Sequence, residues 1–229
     1  MLAIISDIHA NLAALKAVLK DLDEQGCTEV LCLGDVVGYN AEPEECVQLL
    51  KARGIQTLLG NHDSYITTGQ NCERSQVVTS IIDDHRSRLS KDSIDWLKQS
   101  LPRLSMGDIL FVHGGPDDPV DQYIYEVDET LFPDGVNVLF AGHTHVQAKF
   151  DFGGKVFCNP GSVGQPRDGD PRAAYAILDG GSIRLRRVAY DVARTVQVMD
   201  ARGYEPYKSR GLAKGAQING KVSSISLRA

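Results

Sequence analysis

The stretch Leu2-Ala3-Ile4-Ile5-Ser6-Asp7-Ile8-His9-Ala10-Asn11-Leu12 carries two elements and a polar joint between them. Leu2 to Ser6 has the length and apolarity of a buried strand, and Leu12, Leu15, Val18, Leu19 and Leu22 then recur at the spacing of one helical face. Asn11 stands where a helix N-cap is needed. Asp7 and His9 fall between them. The same order returns twice. Glu29 to Leu33 reads as a strand and runs into Gly34-Asp35, Pro43-Glu44-Glu45 opens a helix, and Ile55 to Leu59 reads as a strand and runs into Gly60-Asn61-His62-Asp63. This βαβαβ alternation predicts a parallel sheet with polar residues gathered at the carboxyl ends of its strands, the edge where open α/β sheets bind ligands.

Outward from that frame, Cys72 to Gln99 has helical spacing, with Val77, Ile81, Ile82, His85 and Leu89 on one side and Ile94 and Leu97 in a second piece. Closely spaced strands are predicted after Pro102, at 109–113, 138–141, 155–158, 174–178 and 183–190, with Gly-Gly turns at 153 and 180. Asp191 is a cap for a last helix through Ala201. Residues 1–201 therefore read as a single domain, a sheet-on-sheet core with helices outside. Residues 202–229, with six Lys or Arg against one Glu, read as a basic polar tail that is either solvated or packed on the domain, and that could lend positive charge to an approaching substrate.

With 42% hydrophobic and 24% charged residues and no apolar run near the roughly 20 residues of a membrane span, the sequence is that of a globular protein outside the membrane. The first residues lack the basic segment and cleavage site of a secretory signal, so a cytoplasmic location is expected. Five cysteines without a C-x-x-C pair suit reduced thiols rather than a disulfide framework. A net charge of -6 argues against a stable nucleic-acid partner but not against a small phosphate ester.

The polar residues at the strand ends form one set: Asp7, His9, Asp35, Asn61, His113, His143 and His145. Each alone is most often a cap or turn residue, and His85, on a helix with no strand-end partner, is read as structural. Together they are imidazole, carboxylate and amide donors, too many for one ion and suited to two ions about 3.5 to 4 Å apart, with Asp35 as the natural bridge. No thiolate belongs to the set. Two divalent ions are expected, manganese first, with iron, zinc, nickel or cobalt as alternatives.

The ordered series Asp7-Ile8-His9, Gly34-Asp35, Gly60-Asn61-His62-Asp63, His113-Gly114 and Gly142-His143-Thr144-His145 resembles the calcineurin-like metallophosphoesterases. Asn159-Pro160-Gly161-Ser162-Val163-Gly164-Gln165-Pro166-Arg167 further resembles the small YfcE-like branch of that family. The resemblance implies a four-layer α/β/β/α sandwich of two mixed sheets flanked by helices. It also implies that Asp7, His9, Asp35 and His145 bind one metal and Asp35, Asn61, His113 and His143 the other. His62 would be the general acid, as an imidazolium over the pair, with Asp63 orienting its ring. The expected reaction is in-line attack on phosphorus by a metal-bridging hydroxide.

Substrate choice falls to the loops. Arg167 could clamp a phosphate oxygen, and Tyr39, Tyr123 and Tyr125 could stack on a base, against ordinary packing for each. A compact chain without large insertions suits a phosphodiesterase. A phosphomonoesterase or protein phosphatase, a dinucleoside polyphosphate hydrolase and a non-catalytic metal-binding scaffold stay as alternatives, the retained His62 weighing against the last. Oligomeric state, including a homo-oligomer, is open.

Overall fold

The structure, a computed structural model, describes residues 1–228. Its strands are β1 (Leu2–Ile5), β2 (Glu29–Cys32), β3 (Gln56–Thr57), β4 (Arg103–Met106), β5 (Ile109–Val112), β6 (Glu126–Val127), β7 (Val138–Ala141), β8 (Ala148–Asp151), β9 (Val156–Asn159), β10 (Ala173–Asp179), β11 (Ser182–Val188) and β12 (Ser226–Leu227). Its helices are α1 (Leu12–Glu24), α2 (Pro43–Ala52), α3 (Asn61–Thr68), α4 (Gln76–Arg88), α5 (Lys91–Leu97) and α6 (Val192–Ala201).

Two five-stranded sheets stack, one ordered β11-β10-β1-β2-β3 and the other β4-β5-β7-β9-β8. The triplets β1-β2-β3 and β5-β7-β9 are each parallel, as βαβ alternation requires of the first, and the antiparallel strands beside them, β10 in the first sheet and β4 and β8 in the second, make both sheets mixed. Side chains alternate along each strand. Ile4, Leu31, Phe111 and Phe140 point between the sheets, while Ala3, Ile5 and Cys32 face the helices on the first sheet. Phe111 and Phe140 stack at 5.1 Å. Leu110, Val112 and Leu139 face outward from the second sheet onto Ile124, Val127, Phe132 and Ile225. The helical cover on that side is a 3₁₀ turn, Glu129–Leu131, beside the β6–β12 ribbon.

Several boundaries differ from expectation. The third strand shrinks to two residues: Leu58 N–H still donates to Cys32 O of β2 at 2.8 Å, but Leu58 pairs on its other side only as an isolated bridge with Leu101. Edge strands β4 and β8 escaped prediction because their exposed and half-buried residues give no apolar alternation. The helix α3, which begins at Asn61, also escaped it. No helix among the described residues is long and apolar enough to cross a membrane.

Of the two readings of residues 202–228, the packed one holds. Tyr204 and Leu212 are buried, and Ser226 and Leu227 pair with β6. The basic residues Arg202, Lys208 and Arg228 are engaged in ion pairs with Glu45, Glu205 and Glu126, so they do not supply free charge to a substrate.

His85 is fully buried on α4, its Nδ1 accepting from Gly38 N–H at 3.1 Å and its Nε2 donating to the Asn40 carbonyl at 2.7 Å. Burial pulls its pKa down from 6.5 to about 4. The folded state thus favours the neutral ring, a contribution present above pH 6.5 and lost as pH falls toward 4. Between pH 8 and pH 4.5 the stability gap between wild type and His85→Gln is expected to narrow by about 2 kcal/mol in urea melts. A gap that stays constant would show that the ring titrates normally.

Candidate active site

The five expected loops converge at the carboxyl ends of β1, β2, β3, β5 and β7. Backbone bonds join them: Asp7 N–H donates to Gly34 O at 3.0 Å, His9 N–H to Asp35 O at 2.9 Å, and Gly142 N–H to His113 O at 2.8 Å. Among the described residues, positive φ occurs at seven that are not glycine, Asp7, His9, Ala10, Asp35, Tyr39, His143 and His145. Five are expected ligands and two adjoin them. Each such residue costs on the order of 1 kcal/mol, and strain of this kind collects where geometry serves a site. The loops also approach very closely. A Cβ on Gly60 would lie 2.1 Å from Asp35 Oδ1, so only glycine fits there.

The histidines are aimed by what their far nitrogens touch. His9 Nδ1 donates to Val37 O at 2.8 Å and His145 Nδ1 to Gln165 O at 2.6 Å, which leaves both Nε2 atoms with lone pairs. Those two atoms face each other at 3.0 Å. On the other side His143 Nε2 faces Asp121 Oδ1 at 3.3 Å, which leaves its Nδ1 free to approach His113 Nε2 at 3.2 Å. Two bare nitrogens at such distances repel unless a proton or a cation lies between them.

The carboxylates complete the two groups. Asp7 Oδ2 accepts from His143 N–H at 3.1 Å and Asp35 Oδ1 from His62 N–H at 2.9 Å, so each holds one oxygen still and presents the other. Asp7 Oδ1 lies 3.2 Å from His145 Nε2, and Asp35 Oδ2 lies 3.5 Å from His9 Nε2 and 3.4 Å from His113 Nε2, between the two groups. Asp7 Oδ1, Asp35 Oδ2 and Asn61 Oδ1 are buried acceptors without a hydrogen-bond partner. Orphaned oxygens beside converging lone pairs fit a pair of divalent cations and little else. Asp7, His9 and His145 form one potential ion site, and Asp35, His113 and His143 another.

Without cations the local charges compensate each other. Burial alone would raise Asp7, yet His145 and His9 hold it well below the usual carboxylate range. Burial works to lower His113, yet Asp35 raises it to about 9. Protons on these groups would give way to a bound ion.

His62 is buried, its ring packed 4.9 Å from Tyr39 and 4.9 Å from His9, with Nδ1 unpartnered. Burial pushes it well below the ordinary histidine range, with Asp35 only partly offsetting this, so the protein alone does not hold the imidazolium that the sequence suggested. Nor does Asp63 touch that ring. Its two oxygens accept from Val36 N–H and Val37 N–H, both at 3.2 Å, and fix the loop after β2. The wall beside His62 Nδ1 is Gly38, where a Cβ would stand 2.2 Å away.

Arg167 is only 7% exposed and lies 5.0 Å over the Tyr39 ring. Its Nε has no partner, and no carboxylate among the described residues pairs with it. Tyr123 packs 3.8 Å from His143 and stacks on Tyr125 at 5.8 Å.

A profile of the calcineurin-like phosphoesterase superfamily domain matches residues 1–182. The chain belongs to this superfamily. It is 33% identical over 226 residues to an uncharacterized protein of Methanocaldococcus jannaschii, a match covering 86% of this chain and 90% of that one. A metallophosphoesterase from Sphaerobacter thermophilus is similar in structure, with a TM-score of 0.81, 32% identity and coverage of 93% and 99% of the two chains. A hypothetical protein from Pyrococcus horikoshii shares the fold at 19% identity, with a TM-score of 0.83 and coverage of 95% and 100%. The protein is a hydrolase acting on phosphoester bonds.

Two further parts of this phosphoesterase support the ligand loops, the first singled out in the sequence by resemblance and the second not. Asn159-Pro160 to Arg167 clamps the ligand loops from outside: Asn159 Nδ2 donates to Gly142 O and Thr144 Oγ1, and Ser162 Oγ to Asp7 O. Asp121 orients His143 and is itself held by the Arg74 guanidinium at 2.5 and 2.7 Å. Replacing an orienting carboxylate typically costs 10- to 100-fold in metal affinity, so Asp121→Ala is expected to weaken binding at the His143 position by about that factor in a metal titration. Unchanged affinity would remove Asp121 from the site.

Proposed function

We propose that this phosphoesterase is a dimetal phosphodiesterase acting on a small ester, with manganese as the first candidate ion. The observation that carries the proposal is Asp35 Oδ2, orphaned and set between His9 Nε2 and His113 Nε2 at 3.5 and 3.4 Å. Asp7, His9, Asp35 and His145 would hold one ion, and Asp35, Asn61, His113 and His143 the other. Bound there, two divalent ions supply Lewis-acid charge for the phosphoryl oxygens and an acidified water for the attack. Donors of nitrogen and oxygen without a thiolate suit manganese. The five unpaired cysteines support a cytoplasmic setting.

The side chains then divide the remaining work. Arg167 binds a phosphoryl oxygen, which gives its buried charge the partner it lacks. His62 takes up a proton as the anionic ester arrives, because the ester's charge offsets the desolvation that otherwise keeps the ring neutral, and gives that proton to the leaving oxygen. One buried cationic side chain flanked by Tyr39 and Tyr123 suits the single charge of a diester better than the double charge of a monoester.

The test is hydrolysis of bis(p-nitrophenyl) phosphate beside p-nitrophenyl phosphate, after chelation and resupply of manganese, nickel, cobalt, zinc or magnesium. Metal-dependent cleavage that favours the diester supports the proposal. Preference for the monoester would make the protein a phosphomonoesterase built on the same ligands.

A further inference from the structure

Tyr39, Tyr123 and Arg167 do not close over the ligand groups. They form one side of a cleft of about 280 Å³ whose other side is Ser75, Val77 and Val78 from the start of α4 and Gln217, Ile218 and Asn219 from the C-terminal segment. The cleft is continuous with the site, since Tyr39 packs on His62 and Tyr123 on His143. The buried Arg167, its Nε unpartnered, marks the inner end.

The C-terminal wall is a built element. Residues 217–221 form a turn, with Gln217 N–H donating to Lys221 O at 2.9 Å, Gly220 N–H to Gln217 O at 2.8 Å, and Gln217 Nε2 to Ser223 Oγ at 3.0 Å. Ser223 N–H donates to Arg167 O at 2.7 Å, while Arg167 N–H donates to His145 O at 3.1 Å. The turn is therefore three hydrogen bonds from the loop of His145, a candidate metal ligand. Earlier in the same segment, the Tyr204 hydroxyl reaches His85 Nε2 at 3.2 Å, and His85 Nδ1 accepts from Gly38 N–H beside Tyr39. Both members of the Arg167–Tyr39 pair are thus braced by residues 204–223.

The chemistry of the cleft is narrow. It offers two aromatic rings and the apolar side chains of Val77, Val78 and Ile218, then the carboxamides of Gln217 and Asn219 and the Ser75 hydroxyl. Its only charged side chain is the inner Arg167. Its volume sits at the lower bound of small-molecule sites, which limits it to about one ring system. A planar uncharged ring with a hydrogen-bonding edge, joined to a phosphate that reaches Arg167, meets each of these features. We propose that the C-terminal segment forms a subsite for the nucleobase of a nucleotide ester, with Ile218 and Tyr123 against the ring and Gln217 and Asn219 at its edge. This rests on the phosphoesterase reading of the adjoining metal site.

The test compares inhibition of the manganese-loaded, full-length protein by inorganic phosphate, ribose 5-phosphate and adenosine 5'-monophosphate, with bis(p-nitrophenyl) phosphate as the reporter substrate. Base stacking predicts that the nucleotide inhibits about tenfold more tightly than ribose 5-phosphate. Ile218→Trp, which fills the cleft, is expected to erase that ratio. Equal inhibition by the nucleotide and ribose 5-phosphate in the wild type overturns the subsite whether or not the variant folds, as does a ratio that survives in folded Ile218→Trp. Hydrolysis that no phosphate compound inhibits points instead to failure of the metal-site reading.

Discussion

His62→Ala is expected to keep its metal and lose about 10² to 10⁴ of its turnover. The two effects separate because the protein uses two different parts of the residue. The backbone N–H of His62 holds Asp35 Oδ1 at 2.9 Å, and alanine retains that bond. The ring, with its unpartnered Nδ1, holds nothing that the ions need. The deficit should grow with the basicity of the leaving group, being smallest for p-nitrophenolate and largest for an alkoxide, since only the latter requires a proton. His62 also lies within ligand distance of His9 and Asp35. Loss of metal in His62→Ala would therefore make it a ligand, and a deficit indifferent to the leaving group would make it a substrate-binding residue.

Asp35→Asn is expected to lose metal and activity together, by at least about 10³ in rate, since several kcal/mol of charge stabilisation depend on the pair. Asp35 places a single oxygen, Oδ2, within 3.5 Å of a ring nitrogen in each of the two histidine groups. It also belongs to the first sheet, whereas His113, His143 and His145 follow strands of the second, so ions at this position would tie the two sheets together. Ligand binding to the native state alone adds about 4 kcal/mol at a thousandfold excess over Kd, so wild-type Tm should rise with manganese and Asp35→Asn should not respond. A variant with normal metal content and rate would end the assignment of Asp35 as a bridge.

The convergence of the seven candidate ligands was legible because each follows a strand, and strand ends in an α/β alternation share an edge whatever the loops do. His85 was legible as structural for the converse reason, lying mid-helix among charged neighbours. Asp63 misled because adjacency in sequence suggested contact with His62, whereas the first turn of α3 sends its carboxylate to Val36 and Val37. Asp121 gave no signal, since its meaning depends on which nitrogen of His143 turns outward. The C-terminal segment was read by composition as basic and polar, yet it is placed by Tyr204, Leu212 and Ile225, apolar or amphipathic residues too far apart for any period to reveal them.

The position of β1 inside its sheet bears on how the protein is made. Leu2 pairs with Glu29 on one side and with Leu178 on the other. During synthesis the first strand emerges early but keeps an open hydrogen-bonding edge until β10 has been made, a long-range pairing of the kind that slows folding and leaves an edge free to pair wrongly. Asp7 and His9 are made well before β10, the strand that completes the sheet around them. A chain made only as far as residue 150 would hold all seven candidate ligands yet lack β10 and the Asn159–Arg167 clamp, so metal capture is expected to follow completion of the sheet rather than to guide it.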